Sequence, residues 1–249
     1  MRLLITRPAA DSVELKAHLL GQGHEVLIEP LVEINFEDTD PIELAGVQAL
    51  VATSRNGLRA LAHSPEFDLA LSLPVFAVGP GTTATARALG MTHVLKGPAT
   101  ARDLISFITE HADVNGGPLL HLAGDVLSFD FAAELRRLGF AVHQPVVYHS
   151  EAIDRLSGST MARLRRGEID GVLLLSPRTA ATYTGLVRKY ELDEPARKPT
   201  YFCISQRTAD ELADLQPFAI EIARHPNLQE VLAMTSRATP QSLGASTGR

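Results

Sequence analysis

A chain of 249 residues, 45% of them apolar, is long for one compact α/β domain and comfortable for two of about 110–120 residues each. Its formal charge of −6 and its lack of Trp argue against a general nucleic-acid or anionic-membrane binder, because those use broad positive fields and aromatic stacking platforms. Any anionic ligand therefore needs a local site, for which the predominance of Arg over Lys supplies a planar two-point fork, although a coding bias toward Arg would produce the same composition.

The opening run, Met1-Arg2-Leu3-Leu4-Ile5-Thr6-Arg7, is too short in its apolar part for a signal peptide. No stretch approaches the roughly 20 apolar residues of a membrane span, so a cytoplasmic protein is expected. Residues 3–6 predict a first strand. Asp11 is the expected cap of a helix that presents Leu15, Leu19 and Leu20 and stops at Gly21 and Gly23. Further strands are predicted at 25–28, 49–53, 75–78, 119–122, 142–147, 171–175, 201–204 and 220–223. Helical periodicity fills most gaps, and the helix over 100–111 opens with Thr100 and Asp103 in capping-box spacing. Strands alternating with helices predict an α/β protein whose parallel sheets are covered on both faces. The single Cys203, in Tyr201-Phe202-Cys203-Ile204, forms no internal disulfide and reads as a buried small hydrophobe. From Ala238 to Arg249 the chain is rich in Ser, Thr, Gly and Pro and reads as a disordered tail.

The blocks recur in order along the chain. Leu3-Leu4-Ile5, a helix, Leu20-Gly21 and then residues 25–30 have their counterpart in Leu119-Leu120-His121, a helix, Leu138-Gly139 and residues 141–145. Residues 50–54 match 172–176, and Phe76-Ala77-Val78-Gly79 with Thr82 matches Phe202-Cys203-Ile204-Ser205 with Thr208. Gly97-Pro98 before a helix matches His225-Pro226 before a helix. Two related modules are expected. A linear cut would fall near Gly116-Gly117, but residues 30–36 and 145–151 are both extended and could instead pair as a bridge.

Four strand ends share one design, an apolar strand, then Ser, Thr or Gly, then a helix. They are Thr53-Ser54-Arg55-Asn56-Gly57, Gly79-Pro80-Gly81-Thr82-Thr83, Ser176-Pro177-Arg178-Thr179 and Ser205-Gln206-Arg207-Thr208. Ligands of open parallel sheets bind beyond the carboxyl ends of strands, where helix N-termini offer free N–H groups to an anion. The candidate binding residues are therefore Thr53, Ser54, Arg55, Gly79, Gly81, Thr82, Ser176, Arg178, Ser205, Arg207 and Thr208, with Arg7 in Thr6-Arg7-Pro8 as a further anchor. Plain helix capping, and for Arg7 a surface ion pair, are the bland alternatives. Gly79-Pro80-Gly81 lacks the third Gly of a dinucleotide fingerprint, no Walker sequence or Gly-x-Ser-x-Gly elbow occurs, and the nine His show no paired ligand spacing. Neither a cofactor nor a metal is expected, and the chemistry should depend on positioning. Tyr148, in Val146-Val147-Tyr148-His149-Ser150, can donate a proton to a leaving group or serve as a packing wedge in the bridge.

Together these blocks resemble the uroporphyrinogen-III synthase family from Leu3 to about Met234. The resemblance rests on Thr6-Arg7-Pro8, Thr53-Ser54-x-Asn56-Gly57, Ala77-Val78-Gly79 with Thr82-Thr83-Ala84, and Gly97-Pro98 through Leu104. Val146-Val147-Tyr148, Ser176-Pro177 and Ile204-Ser205-x-x-Thr208-Ala209 complete the ordered set. The family often carries Arg-Gly where this chain has Ala123-Gly124-Asp125, and Gly where it has Ser205; an Asp125 carboxylate facing a polyacid would repel it. The resemblance implies two flavodoxin-like parallel-sheet domains joined by a two-stranded β ladder, one of residues 1–34 with 152–237 and the other of 37–147. It also implies a cofactor-free cyclising hydro-lyase, a carbon–oxygen lyase. Hydroxymethylbilane would lose its terminal hydroxyl to give an azafulvene, close through a spiro intermediate with inversion of the last pyrrole, and yield uroporphyrinogen III. A monomer in transient contact with hydroxymethylbilane synthase is the implied setting, with Tyr148 as the candidate acid. Without the resemblance, a non-catalytic two-domain clamp for an anionic small molecule remains open.

Overall fold

The computed structural model describes residues 1–98, 100–127 and 129–238. The chain divides into two compact units, Met1–Glu33 with the described residues from Glu151 onward, and Ile34–Ser150. In chain order the strands are β1 (Arg2–Ile5), β2 (Glu25–Ile28), β3 (Val32–Asn35), β4 (Ala49–Ala52), β5 (Val75–Ala77) and β6 (Val94–Lys96). They continue with β7 (Leu119–His121), β8 (Ala123–Gly124), β9 (Val142–His143), β10 (Val146–Ala152), β11 (Gly171–Leu174), β12 (Thr200–Cys203) and β13 (Ala219–Ile222). Helices connect most of them.

The first unit holds a five-stranded parallel sheet in the order β13-β12-β11-β1-β2, and the second holds one in the order β6-β5-β4-β7-β9. The repeat explains the likeness. The recurring blocks pair β1 with β7, β2 with β9, β11 with β4, β12 with β5 and β13 with β6, and each pair occupies the same place in its sheet. The first order is the doubly wound flavodoxin-like one. In the second unit the chain enters at the third position instead of the first, so its own strands read 3-2-1-4-5. The chain passes between the units through β3 and β10, neighbours in a further sheet of order β3-β10-β8.

The short apolar strands are continuous runs because both faces of each sheet are buried. Successive residues alternate faces. In the first unit Leu4, Val172, Leu174, Tyr201 and Cys203 enter one core cluster, and Leu3, Ile5, Leu173 and Phe202 the other. In the second, Leu50, Ala52, Val75, Ala77 and Leu120 face one way, and Ala49, Val51, Phe76 and Leu119 the other. Cys203 is fully buried and its thiol is pushed up to about 12 by that burial, as a core residue rather than a nucleophile would be.

Three local expectations are corrected. Asp11 does not cap the first helix, Ala9–Gly21; Pro8 stands at the N-cap position with no side-chain cap, and Asp11 lies in the first turn, where a carboxylate suits the positive helix end. The strand expected over 142–147 is split into β9 and β10, because Pro145 has no N–H to continue a ladder. Ala238, expected to open the tail, instead closes the helix Leu228–Ala238; the rest of the expected tail, 239–249, lies outside the described residues. Thr100 caps the helix Ala101–His111 as expected, accepting from the Asp103 N–H at 3.2 Å.

Candidate functional site

In both sheets the strand order reverses at the same pair of positions, β1 with β11 and β4 with β7, and ligands of such sheets bind beyond the carboxyl ends of the strands there. The sequence-derived residues follow these strands or their neighbours.

In the second unit, β4 runs out into Thr53-Ser54-Arg55. Ser54 is extended (φ −141°, ψ 148°) and caps the helix Arg55–Ala62, its hydroxyl accepting from the Asn56 N–H at 3.1 Å. The same hydroxyl lies close enough to the Tyr148 phenol to act on its ionisation. Tyr148 stands in β10 opposite Gly124 of β8. A Cβ on Gly124 would lie 2.5 Å from Tyr148 Cζ, 2.6 Å from Cε2 and 2.8 Å from Oη, so the phenol rests directly on the glycine backbone. Gly57 performs a similar service. Its missing Cβ would come within 2.5 Å of the Leu122 carbonyl oxygen, so the helix start presses against the end of β7 and brings the two turns together. Burial holds the Tyr148 phenol above its ordinary value, helped by the Asp125 charge and opposed by the Ser54 hydrogen bond. The group is therefore a fully protonated donor at neutral pH.

Asp125 does not present a bare carboxylate. Its Oδ1 accepts from the Ser150 N–H at 2.9 Å and its Oδ2 lies 3.4 Å from His149 Nδ1, so the side chain turns back onto β10. Arg55 lies across the first turn of the next helix, Gly79–Ala88, with Nε 2.7 Å from where a Gly81 Cβ would stand. Gly79 adopts φ +63°, a conformation that favours glycine. Its N–H is committed to the Pro98 carbonyl at 3.0 Å and its own carbonyl accepts from the Thr83 hydroxyl at 2.7 Å. Thr82 is buried, so any ligand contact there would come from the backbone.

In the first unit, the Thr6 hydroxyl is buried and donates to the Leu173 carbonyl at 2.8 Å, pinning β1 to β11. Arg7 follows and forms an ion pair with Asp11 at 3.0 Å. Ser176 caps the helix Pro177–Lys189, accepting from the Thr179 N–H at 3.1 Å, with Arg178 half-buried beside it. Ser205 caps Gln206–Asp210 through the Thr208 N–H at 3.3 Å. Arg207 is exposed, whereas Thr208 has 0% exposure and its hydroxyl lies 3.0 Å from Ser205 Oγ. Thr208 thus backs the cap from inside. The structure brings Ser54 to Tyr148 and Arg55 to Gly81 in the second unit. In the first unit it sets Arg7, Ser176 with Arg178, and Ser205 with Arg207 at adjacent strand ends.

Sequence reasoning did not anticipate Gly124 or His121. His121, 1% exposed at the end of β7, makes a 2.9 Å contact from Nε2 to the Thr53 hydroxyl and a 3.1 Å contact from Nδ1 to Gln144 Oε1. The available signal was a ring nitrogen pair inside an apolar strand, which must find partners when buried. Burial lowers the imidazole below its ordinary value of 6.5, against the Gln144 hydrogen bond and the Asp130 charge, both of which raise it. The folded state thus favours the neutral ring, and the unfolded chain takes up a proton first as the pH falls. The stability from this residue is fully present above the unfolded value and is lost on the acid side of it. Lowering the pH from about 7.5 to about 5.5 should therefore depress the thermal unfolding midpoint of the wild type more than that of His121→Phe. Equal depressions would show that no buried neutral imidazole is being protonated.

Among the described residues no helix is long and apolar enough to cross a membrane. The family model described as Uroporphyrinogen-III synthase HemD matches residues 13–233. The structure is similar to that of uroporphyrinogen-III synthetase from Helicobacter pylori, with a TM-score of 0.64 and 17% identity over 96% of this chain and 100% of that one. It is also similar to a mutant uroporphyrinogen III synthase from the extremely thermophilic bacterium Thermus thermophilus, with a TM-score of 0.50 and 17% identity over 95% of this chain and 98% of that one. At this identity the two structures support the fold alone. No curated protein sequence matches the chain.

Proposed function

The chain belongs to the uroporphyrinogen-III synthase family, and on that premise we propose that it closes hydroxymethylbilane to uroporphyrinogen III, with its strand-end turns as the binding elements and Tyr148 as the proton donor. The family match over residues 13–233 carries the reading. In the reaction the terminal C–O bond breaks, the hydroxyl leaves as water once protonated, and the resulting azafulvene is attacked by the substituted carbon of the last pyrrole. The spiro intermediate fragments and recloses with that ring inverted. The reaction class is a carbon–oxygen lyase that cyclises its substrate.

The geometry supports a division of labour. Substrate carboxylates suit the capped helix starts after β11 and β12 of the first unit and the Arg side chains beside them, where charge-assisted hydrogen bonds contribute about 1.5–3 kcal/mol each. Favouring the inverted closure a hundredfold needs only about 2.7 kcal/mol between competing transition states, an amount that conformational restraint of a flexible polyacid can supply. We place the enzyme in the cytoplasm as a monomer that receives its unstable substrate by transient contact with hydroxymethylbilane synthase.

The decisive assay uses the protein in catalytic rather than stoichiometric amount. Roughly one part in a hundred should consume all the bilane faster than its spontaneous closure, with no added metal or cofactor. A protein that protects one equivalent of bilane and slows its closure is a clamp, not a synthase. Arg207→Ala, at an exposed turn, should raise KM about tenfold with little change in kcat, the signature of lost uniform binding; an unchanged KM would put this turn outside the site.

A further inference from the structure

The chain of contacts Gln144–His121–Thr53 has no part in the reaction as described, and it bears on what the β4 turn can recognise. Gln144 Oε1 is a carbonyl oxygen and can only accept, so the 3.1 Å contact assigns a hydrogen to His121 Nδ1. A neutral imidazole carries one ring hydrogen, which leaves Nε2 a lone pair, and the Thr53 hydroxyl 2.9 Å away must then donate to it. Its single proton spent inward, half-buried Thr53 has only oxygen lone pairs to offer a ligand. An imidazolium would reverse the arrangement, placing a hydrogen on Nε2 and freeing the Thr53 proton. The ring's 1% exposure and its packing at 5.1 Å against Phe131 disfavour that cation; Asp130 is the charged group acting in its favour.

We propose that His121 is a positioning residue that makes Thr53 a hydrogen-bond acceptor, so that this turn receives an N–H group of the ligand, a pyrrole nitrogen, rather than a carboxylate. The inference rests on the synthase reading. A linear tetrapyrrole carries ring N–H donors as well as carboxylates, and the same turn sets the donor Arg55 two residues from the acceptor Thr53. An acceptor beside a cation matches one pyrrole with its acidic side chain. It repels a carboxylate at Thr53 and so fixes which way the ring lies.

The first test needs no substrate. Long-range 15N–1H spectra of the full-length, 15N-histidine-labelled protein at neutral pH should show one buried ring protonated at Nδ1 and bare at Nε2, assigned by its loss in His121→Phe. Protonation at Nε2, alone or on both nitrogens, overturns the proposal. The second test is kinetic. Thr53→Val, close to isosteric, should raise KM about three- to tenfold with kcat within about twofold. His121→Phe should match it, the double variant should be no worse than either single one, and Thr53→Ser should restore the wild-type value. If His121→Phe fails to fold, Gln144→Leu takes its place, because loss of the carbonyl releases the tautomer. A wild-type KM in Thr53→Val, with uroporphyrinogen III still formed, overturns the proposal and spares the synthase reading. Failure of the wild type to form uroporphyrinogen III removes the reading itself, while the nitrogen spectra still judge the His121–Thr53 arrangement.

Discussion

Replacing Tyr148 with Phe is expected to lower kcat at least about tenfold, within reach of the 10²–10⁴-fold range of general acid catalysis, while tetrapyrrole binding persists. The ring that packs on Gly124 and against the adjoining core is retained, so the substitution removes the hydroxyl and its link to Ser54 and little else. The departing hydroxyl is a poor leaving group unless protonated. A phenol held above its ordinary value by burial keeps its proton through neutral pH. Because that shift is upward, any alkaline loss of rate that reports this phenol should fall above the ordinary phenol value, not below it. Stopped assays of Tyr148→Phe, with binding followed separately, give the answer. A rate near that of the wild type would leave Tyr148 as packing alone.

Gly124→Ala should be damaging on the same scale, with up to about a 100-fold loss of turnover, the scale of a displacement of about 1 Å at a reacting group. The new methyl would lie 2.5–2.6 Å from two ring atoms of Tyr148 and 2.8 Å from its hydroxyl oxygen, separations that real contacts do not sustain. Either the phenol swings off the Ser54 cap or β8 moves away from β10. Overpacking of this kind also costs about 1–3 kcal/mol of stability, so melting and turnover should be measured together. The informative comparison is the variant made in a Tyr148→Ala background, where the space is already vacated and the added methyl should have little further effect on either quantity. A Gly124→Ala enzyme with ordinary turnover would mean that the position of the phenol does not matter.

Much of this architecture was legible in the chain because doubly covered parallel strands are unbroken apolar runs. Residues 3–6, 49–53, 171–175 and 201–204 announce themselves in that way. The internal repeat carried the topology further than periodicity could, since matching β7 to β1 and β4 to β11 already implies two sheets of one design. What escaped was short or conditional. β6 is three residues, none of them fully buried, and β8 is two. Neither is long enough to show a period. The break at Pro145 was visible but lay between Val142 and Val146-Val147, β-branched residues that read together as one strand.

At the site, Ser54, Ser176 and Ser205 were readable as residues at helix starts, because a small hydroxyl before a helical pattern has a specific structural use. Their common placement at strand ends follows from the alternation of strand and helix. Arg7 was readable as a cation after a strand, but its pairing with Asp11 depends on which residue begins the helix, a boundary the sequence leaves loose. The function of Gly124 depends on a ring that arrives from β10, and that of His121 on a hydroxyl at the end of β4. Both meanings come from strand neighbours, which local sequence does not record.

This chain is expected to direct ring closure to the inverted isomer. Hydroxymethylbilane generated enzymatically in the presence of the purified protein, followed by oxidation and chromatography of the porphyrins, reads that choice directly. The type III porphyrin should dominate when the protein is present and give way to type I when it is omitted. Type I alone in both reactions would show that the chain does not select the inverted closure.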